Sequence, residues 1–309
     1  MDFYGYMRPN GKAGARNYVL LLPVNRSLNF IASNVERMTR NTRHFEIPAE
    51  TGRTEVDREV IARTLIGLMN NANVGGIVLL AVKSGAGSAY KNMCAERFEE
   101  EARKTGKPLR IVYLTNVGGS YNMLGETLRL TREVLLEVSD FRRENCPLSA
   151  LTLGVKCGTS DATSGIAGNP CVGAAFDQLI RAGGTAFFSE TTEIIGAEDL
   201  VAKRAVNESV AKKILSAARH WEDKAKATGE DIRKINPIPA NIAAGISSLE
   251  EKSLGAIAKS GTSPIQDVLK YAEMPKGSGL YFVDSWMSSL SLPLCLTACG
   301  ATIMLYQMG

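Results

Sequence analysis

Short apolar runs alternate along the chain with longer segments in which apolar residues recur at helical spacing. The short runs are apolar throughout, which is typical of strands covered on both faces. The predicted strands are 18–24, 76–82, 109–115, 151–156, 185–189, 280–284 and 301–306, and the predicted helices are 27–39, 56–70, 89–104, 121–137, 169–182 and 208–226. This alternation predicts an α/β fold of two Rossmann-like domains with mainly parallel sheets.

The sequence near residues 141–149 predicts a boundary between two domains. Charged residues lead there into Cys146-Pro147, and a new strand follows. We expect an N-terminal domain over 1–145 and a C-terminal domain over 146–309, as suits the length. Residues 236–248 carry two prolines and a glycine and are interpreted as a long loop of the kind that often has a function. The last apolar run has no covering helix after it, so we expect the C-terminal domain to be truncated at its end.

Composition and charge narrow the classes of function. The 309 residues are 45% hydrophobic and 22% charged, as in a soluble globular protein, and the net charge is +4. A mild positive excess without a basic run favours small anionic substrates over nucleic acid. The N-terminus is polar and no apolar stretch is long enough to cross a bilayer, so we expect neither a signal peptide nor a membrane span. The six cysteines form no CxxC pair, which indicates free thiols in a reducing cytoplasm.

The segment from Lys156 to Pro170 carries the strongest chemical pattern. It follows a predicted strand, and Asn169 and Pro170 suit the N-cap and first position of the next helix. Its backbone N–H groups and the positive helix end favour a carboxylate. The candidates for binding or catalysis in this loop are Lys156, Cys157, Gly158, Ser160, Asp161, Ser164 and Asn169. The alternative is a polar strand-to-helix connection that binds nothing.

Other candidates lie outside this loop. Ser189 and Glu190 end the next predicted strand, and Glu198 follows, which suits a metal ligand or general base, or alternatively helix capping. Arg16, next to Asn17, precedes the first predicted strand and is either a clamp for a substrate carboxylate or a surface residue. With only two histidines, a catalytic triad is poorly supported and a histidine-rich metal site is excluded.

The chain resembles the large C-terminal part of the altronate and galactarate dehydratase family over essentially its whole length. The segments that carry the resemblance are 5–11, 14–18, 73–76, 156–161, 164–166, 169–170, 183–185, 189–190, 196–198 and 251–255. The most specific is the block from Lys156-Cys157-Gly158 through Ser160-Asp161 to Asn169-Pro170. The order of the segments is the family's order.

The resemblance implies a hydro-lyase that dehydrates a sugar acid, such as altronate or galactarate, to a 2-keto-3-deoxy product by β-elimination. It also implies Fe²⁺ or another divalent metal, for which Cys157 and Glu198 are the candidate ligands, and a small partner of the SAF type, as a domain or separate subunit. A related member is the large subunit of sulfolactate sulfo-lyase, so release of sulfite from sulfolactate is an alternative. A second alternative is a non-catalytic subunit that only binds a sugar acid. We also expect the protein to form a homo-oligomer.

The chain departs from the family at two segments. The family has a Gly-Cys-Gly element where residues 48–53 stand, and Gly-Cys-Glu where residues 83–87 stand. Two expected cysteines are therefore missing, and Cys157 remains. The absence of these two cysteines weighs against binding of a metal ion by this chain. We assign catalytic roles to Lys156, Cys157, Ser160, Asp161 and Glu190, and substrate binding to Arg16, Asn17, Gly158, Ser164, Asn169 and Ser189.

Overall fold

The computed structural model describes residues 2–49, 52–83, 90–158 and 160–308. The chain divides into two units, Asp2–Cys146 and Pro147–Gly309. Residues 50–51 and 84–87 lie outside the described residues, and they belong to the two segments in which a family cysteine is missing. Residue 89, where a helix is predicted to begin, also lies outside them, as does Thr159 of the strand-end loop, the loop that follows the predicted strand 151–156.

The N-terminal unit is built on a parallel sheet. Its strands are β1 (Asp2–Met7), β2 (Ala13–Gly14), β3 (Tyr18–Pro23), β4 (Thr42–His44), β5 (Val74–Ala81), β6 (Leu109–Tyr113) and β7 (Glu144–Pro147). Its helices are α1 (Asn29–Met38), α2 (Glu55–Asn70), α3 (Ala95–Lys104), α4 (Leu114–Val117) and α5 (Ser120–Ser139). The parallel sheet has the order β4-β3-β5-β6, and a smaller sheet has the order β2-β1-β7 with β1 antiparallel to β2.

Local sequence explains the main elements of this unit. Every residue of β5 is buried, as its uninterrupted apolar sequence predicts. A capping box between Thr54 and Asp57 starts α2. Along α5 the buried residues from Met123 to Val138 recur every three or four positions, so one stripe of the helix packs against the sheet.

The C-terminal unit has a five-stranded sheet in which every neighbouring pair is parallel. Its strands are β8 (Thr152–Cys157), β9 (Thr185–Phe188), β10 (Ile265–Leu269), β11 (Gly279–Val283) and β12 (Ile303–Gln307). Its helices are α6 (Asn169–Arg181), α7 (Glu198–Ala202), α8 (Glu208–Ala227), α9 (Ile232–Ile235), α10 (Pro239–Ala243), α11 (Leu249–Ile257) and α12 (Ser291–Cys299).

The strand order of this sheet, β10-β11-β9-β8-β12, changes direction at β8. The chain leaves β8 through α6 for β9 on one side, whereas β12 pairs with β8 on the other side. Open α/β sheets bind ligands outside the carboxyl ends of their strands at such a switch point. The topology therefore directs attention to the segment that follows β8.

The predicted α/β class with mainly parallel sheets is confirmed, and all seven predicted strands are present. The sequence pattern missed β1, β2, β4, β7 and β10, which are short or mix polar with apolar residues. The interpretation of residues 236–248 as a loop was wrong in part, because α10 lies within it. None of the helices in the described part of the chain has the length and apolar character needed to cross a bilayer.

Candidate active site at the carboxyl end of β8

Cys157 and Gln307 stand opposite each other in register at the carboxyl ends of β8 and β12. The buried Cys157 Sγ lies 3.6 Å from Gln307 Oε1, 3.7 Å from Ser160 Oγ and 4.0 Å from Asn169 Oδ1. Burial raises the pKa of the thiol, so it is protonated at neutral pH. The N–H of Gly158 donates to the carbonyl of Gln307 over 2.7 Å and is therefore already used within the protein.

The helix after the loop starts earlier than predicted. Helical structure begins at residue 162 and runs through a π-helical turn, Ser164–Gly168, directly into α6. The prediction that Asn169 is the N-cap was wrong, because Asn169 has helical dihedral angles and its Nδ2 donates to the carbonyl of Gly255 over 2.9 Å. Pro170 does lie in the first turn of α6.

Asp161 is the residue that caps this helix. Its Oδ1 accepts from Ser164 N–H at 2.9 Å, and its own N–H donates to Ser164 Oγ at 3.2 Å. The hydrogen bond from the Thr163 hydroxyl, followed by those from Ser164, lowers the pKa of Asp161. The negative charge at this helix end therefore comes from the chain itself, and it engages the N–H of Ser164, one of the groups predicted to hold a substrate anion.

A buried ionic cluster lies beside Cys157. Glu190 Oε1 is 2.7 Å from Lys156 Nζ, and Glu190 Oε2 is 2.5 Å from Lys259 Nζ. The same Lys259 ammonium lies 2.7 Å from Glu193 Oε2, and Glu190 also accepts from the Cys157 backbone N–H at 3.3 Å. All four charged side chains are at most 4% exposed. Pairing is what allows charges to be buried so deeply.

The pKa values of the two carboxyl groups of this cluster are shifted in opposite directions. Burial acts to raise the pKa of Glu190, but Lys259 and Lys156 outweigh it and hold that pKa below its usual value. Burial raises the pKa of Glu193, with Lys259 opposing and the charge of Glu190 adding to the effect. Glu190 has a left-handed backbone, with φ of 74°, which is unfavourable for a residue other than glycine. Backbone strain of this kind clusters at functional sites.

A cavity of about 310 Å³ opens beside the strand-end loop. Its described lining comes from the loop and the start of the following helix on one side, and from α11 and the preceding residues on the other. Polar groups are supplied by Ser160, Asp161, Ser164, Asn169, Glu251 and Lys252. The volume and the mixed lining suit one small polar ligand.

The structure brings many of the predicted residues together and leaves others apart. Ser160, Asp161, Ser164 and Asn169 line the cavity, while Lys156, Cys157 and Glu190 meet in the buried cluster or contact the loop. Ser189 Oγ donates to the carbonyl of Val283 over 2.6 Å and ties the end of β9 to β11.

Arg16 and Asn17 belong to the N-terminal unit. The Asn17 amide accepts from Arg8 at 2.8 Å and donates to the carbonyl of Val138 at 2.9 Å, so both of its ends have protein partners. The Arg16 guanidinium donates to the carbonyl of Ala15 over 3.3 Å. Their predicted role in substrate binding stays a prediction.

The donor groups do not fit a divalent metal at the positions predicted for it. Both oxygens of Glu198 are engaged, one by Arg233 at 2.6 Å and the other by the N–H of Gly196. Glu190 and Glu193 already face ammonium groups. Across the part of the chain that the structure describes, His, Cys, Asp and Glu side chains do not gather in any group of three that could hold a metal.

The sequence pattern missed Lys259 and Gln307 and did not give Lys252 a defined role. A signal for the lysines was present, since Lys252 and Lys259 are seven residues apart, close to two helical turns. The buried face of α11 consists of Leu249, Lys252, Ser253 and Ala256. A lysine on a buried helical face needs a specific partner. The sequence did not mark Gln307 as a site residue, because the residues around it have the pattern of an ordinary strand.

Comparisons with known proteins find relatives that match both units of the chain. Residues 148–309 match the family model for the C-terminal part of D-galactarate/altronate dehydratase, and residues 5–139 match the second domain of D-galactarate dehydratase/altronate hydrolase. The chain is 34% identical to (2R)-sulfolactate sulfo-lyase subunit beta of Chromohalobacter salexigens, with 97% of this chain and 75% of the relative covered.

Two dehydratases are nearly as similar. Altronate dehydratase of Bacillus subtilis is 32% identical and galactarate dehydratase (L-threo-forming) of Escherichia coli is 30% identical, each covering 99% of this chain. The chain spans 62% and 61% of the length of these two relatives. The two family models together match most of the chain in the family's order. The chain therefore belongs to the D-galactarate/altronate dehydratase family.

Proposed function

We propose that this protein is a hydro-lyase that removes water from a sugar acid bound in the cavity at the carboxyl end of β8. The observation that carries the proposal is the cavity itself, in which hydroxyl, amide, carboxylate and ammonium groups converge next to a buried ionic cluster. Hydroxyl and amide groups suit a polyhydroxy acid, and family membership supports the reaction class.

In the proposed reaction, a base takes the proton from C2 of the acid and the C3–O bond breaks. The C3 hydroxyl group leaves as water after it gains a proton, and the enol ketonises with a new proton on C3. We assign substrate contacts to Ser160, Ser164 and Asn169, and proton transfer to the groups around Lys156, Cys157, Asp161 and Glu190. Glu190 holds the two ammonium groups in place beneath the loop.

The family resemblance supports Fe²⁺ or another divalent metal as a cofactor, but the carboxylates near Cys157 are neutralised by lysines. The proposed steps therefore use only the chain's own residues. One relative is named as a subunit, which supports a proposed small partner subunit, and we also propose a homo-oligomer. Six free cysteines support a reducing, cytoplasmic location.

A second candidate is release of sulfite from sulfolactate, which the similarity to the sulfo-lyase subunit favours. The test incubates the protein with altronate, galactarate and sulfolactate and measures 2-keto-3-deoxy acid and sulfite. Ser160→Ala, which removes a proposed substrate contact, should lower kcat/KM by about tenfold, whereas Ser216→Ala on an exposed face of α8 should not. Sulfite alone would favour the second candidate, and binding without either product would indicate a non-catalytic subunit.

A further inference from the structure

Gln307 lies at the carboxyl end of β12 with one end of its side-chain amide unused. The side chain is 7% exposed, and its Nε2 has no hydrogen-bond partner in the part of the chain that the structure describes. Its Oε1 lies 3.6 Å from Cys157 Sγ. A buried N–H group without an acceptor is costly and rare in folded proteins, so this one calls for an explanation.

The surroundings hold the amide in place but do not fix which end of it faces the sulfur. A Cβ at Gly168 would lie 2.7 Å from Gln307 Cδ and closer still to Nε2, so the glycine makes room for the amide. Gly168 ends the π-helical turn, from which several residues line the cavity. The amide oxygen and nitrogen exchange places through a half turn of the group, and no other atom has to move.

The amide of Asn169, on the other side of the sulfur, lacks this freedom. Its Nδ2 donates to the carbonyl of Gly255 over 2.9 Å, so its Oδ1 is the end that lies 4.0 Å from Cys157 Sγ. With Gln307 Oε1 also turned to the sulfur, two carbonyl oxygens compete for one S–H hydrogen. With Gln307 Nε2 turned to the sulfur instead, the buried N–H gains an acceptor and the thiol keeps its own hydrogen to donate.

The thiol then donates in the direction of the cavity. Ser160 Oγ lies 3.7 Å from Cys157 Sγ, nearer than Asn169 Oδ1, and Ser160 lines the cavity. Once Ser160 accepts the thiol hydrogen, its own hydroxyl hydrogen is free to point at a ligand oxygen. Hydrogen bonds that follow one another in the same direction polarise each other, which strengthens the last donor of the chain.

We propose that Gln307 is a positioning residue: its Nε2 donates to Cys157 Sγ, Cys157 donates to Ser160 Oγ, and Ser160 thereby offers its hydrogen to a ligand oxygen. Gln307 is not among the described residues that line the cavity, so it acts on the ligand only through this relay. The relay makes Ser160 a donor, which suits an acid rich in acceptor oxygens. This inference rests on the proposed function for the ligand, but the relay itself exists without one.

Infrared spectroscopy of the ligand-free chain tests the direction of the relay. The S–H stretching frequency falls when a thiol donates a hydrogen bond, and the other cysteines cancel when the spectrum of a variant is subtracted from that of the wild type. Ser160→Ala removes the proposed acceptor and should raise the frequency more than Gln307→Met, which removes only a donor to the sulfur. A larger rise in Gln307→Met, or no rise in Ser160→Ala, would overturn the proposal.

A double-mutant cycle on ligand binding tests whether Gln307 acts through Ser160. The probes are altronate and galactarate, and calorimetry compares the wild type, Ser160→Ala, Gln307→Met and the double variant. Gln307→Met should weaken the binding of whichever acid binds by about fivefold, the effect of one hydrogen bond. The same substitution should change nothing once Ser160 is alanine. Gln178→Met on the exposed face of α6 is the matched control and should leave binding unchanged.

Equal effects of Gln307→Met with and without the Ser160 hydroxyl would overturn the proposal, because a residue that only fills space weakens binding in both backgrounds. If Gln307→Met does not fold, the infrared shift of Ser160→Ala decides alone. If neither acid binds, the proposed function fails, while the infrared result still supports or refutes the relay.

Discussion

The ammonium of Lys259 lies 2.5 Å from Glu190 Oε2, and these side chains are 2% and 0% exposed. Glu190 is held on its other side by Lys156, and Lys259 also reaches Glu193. The ionic cluster therefore links the ends of β8 and β9 to the segment after α11. Both the fold around the site and the charge within it depend on this contact.

Lys259→Met should destabilise the protein by about 3–5 kcal/mol, because removing one partner leaves a buried carboxylate without compensation. Lys212→Met removes a lysine that pairs with Glu208 on the surface, where the side chains are 73% and 81% exposed, and should change stability little. Urea denaturation of both variants measures the difference. Equal stability losses would show that the buried contact contributes no more than a surface pair.

Gly173→Ala should disturb the turn that carries Lys259. A Cβ at Gly173 would lie 2.2 Å from the carbonyl oxygen of Ala258, so α6 and that turn could not keep their present spacing. We expect loss of stability and of activity together. Gly125→Ala in α5 meets nothing within 4 Å and should stabilise the protein by about 0.5–1 kcal/mol. Thermal denaturation measures the stability of both glycine variants against the wild type. Stabilisation by both substitutions would contradict the structure.

Lys107 should make the stability depend on pH. Its Nζ donates to the carbonyls of Met69 and Asn71 in the N-terminal unit, and burial lowers its pKa to about 7. The unfolded chain keeps this lysine protonated to about pH 10. Between these values the unfolded state binds more protons, so the contribution of Lys107 to stability rises with pH, by at most about 1.4 kcal/mol per unit.

Urea unfolding at pH 6, 8 and 9.5 tests this for the wild type, for Lys107→Met and for Lys104→Met, whose side chain is 56% exposed. The stability difference between wild type and Lys107→Met should shift in favour of the wild type as pH rises. Lys104→Met should run parallel to the wild type. Parallel curves for all three proteins would show that Lys107 does not titrate in this range.

Cys157 should resist alkylation. Its side chain is buried and its thiol pKa is raised, whereas Cys171 is exposed. Since the thiolate is the reactive form, iodoacetamide at pH 7.5 should modify Cys171 well before Cys157. Mass spectrometry of timed digests follows each site. Modification of Cys157 at the rate of Cys171 would mean that the thiol is exposed and ionised.

The sequence predicted the fold better than the chemistry of the site. Apolar runs such as β5 report burial on both faces directly, so the parallel sheets followed from the pattern. Asp161 was recognised as a candidate, but the cap was assigned to Asn169 because Asn-Pro is a common helix start and the preceding π-helical turn leaves no periodic signal. The partnership of Glu190 with Lys259 joins residues 69 positions apart, which spacing alone does not reveal.

The central claim is that this chain dehydrates a sugar acid by removing the C2 proton and the C3 hydroxyl group. Proton NMR of the reaction in D₂O tests it most directly, with altronate and galactarate as substrates and the full chain as catalyst. The account predicts a 2-keto-3-deoxy acid that carries one solvent-derived deuteron at C3. If both acids stay unchanged, or if the product carries no deuterium at C3, the claim is contradicted.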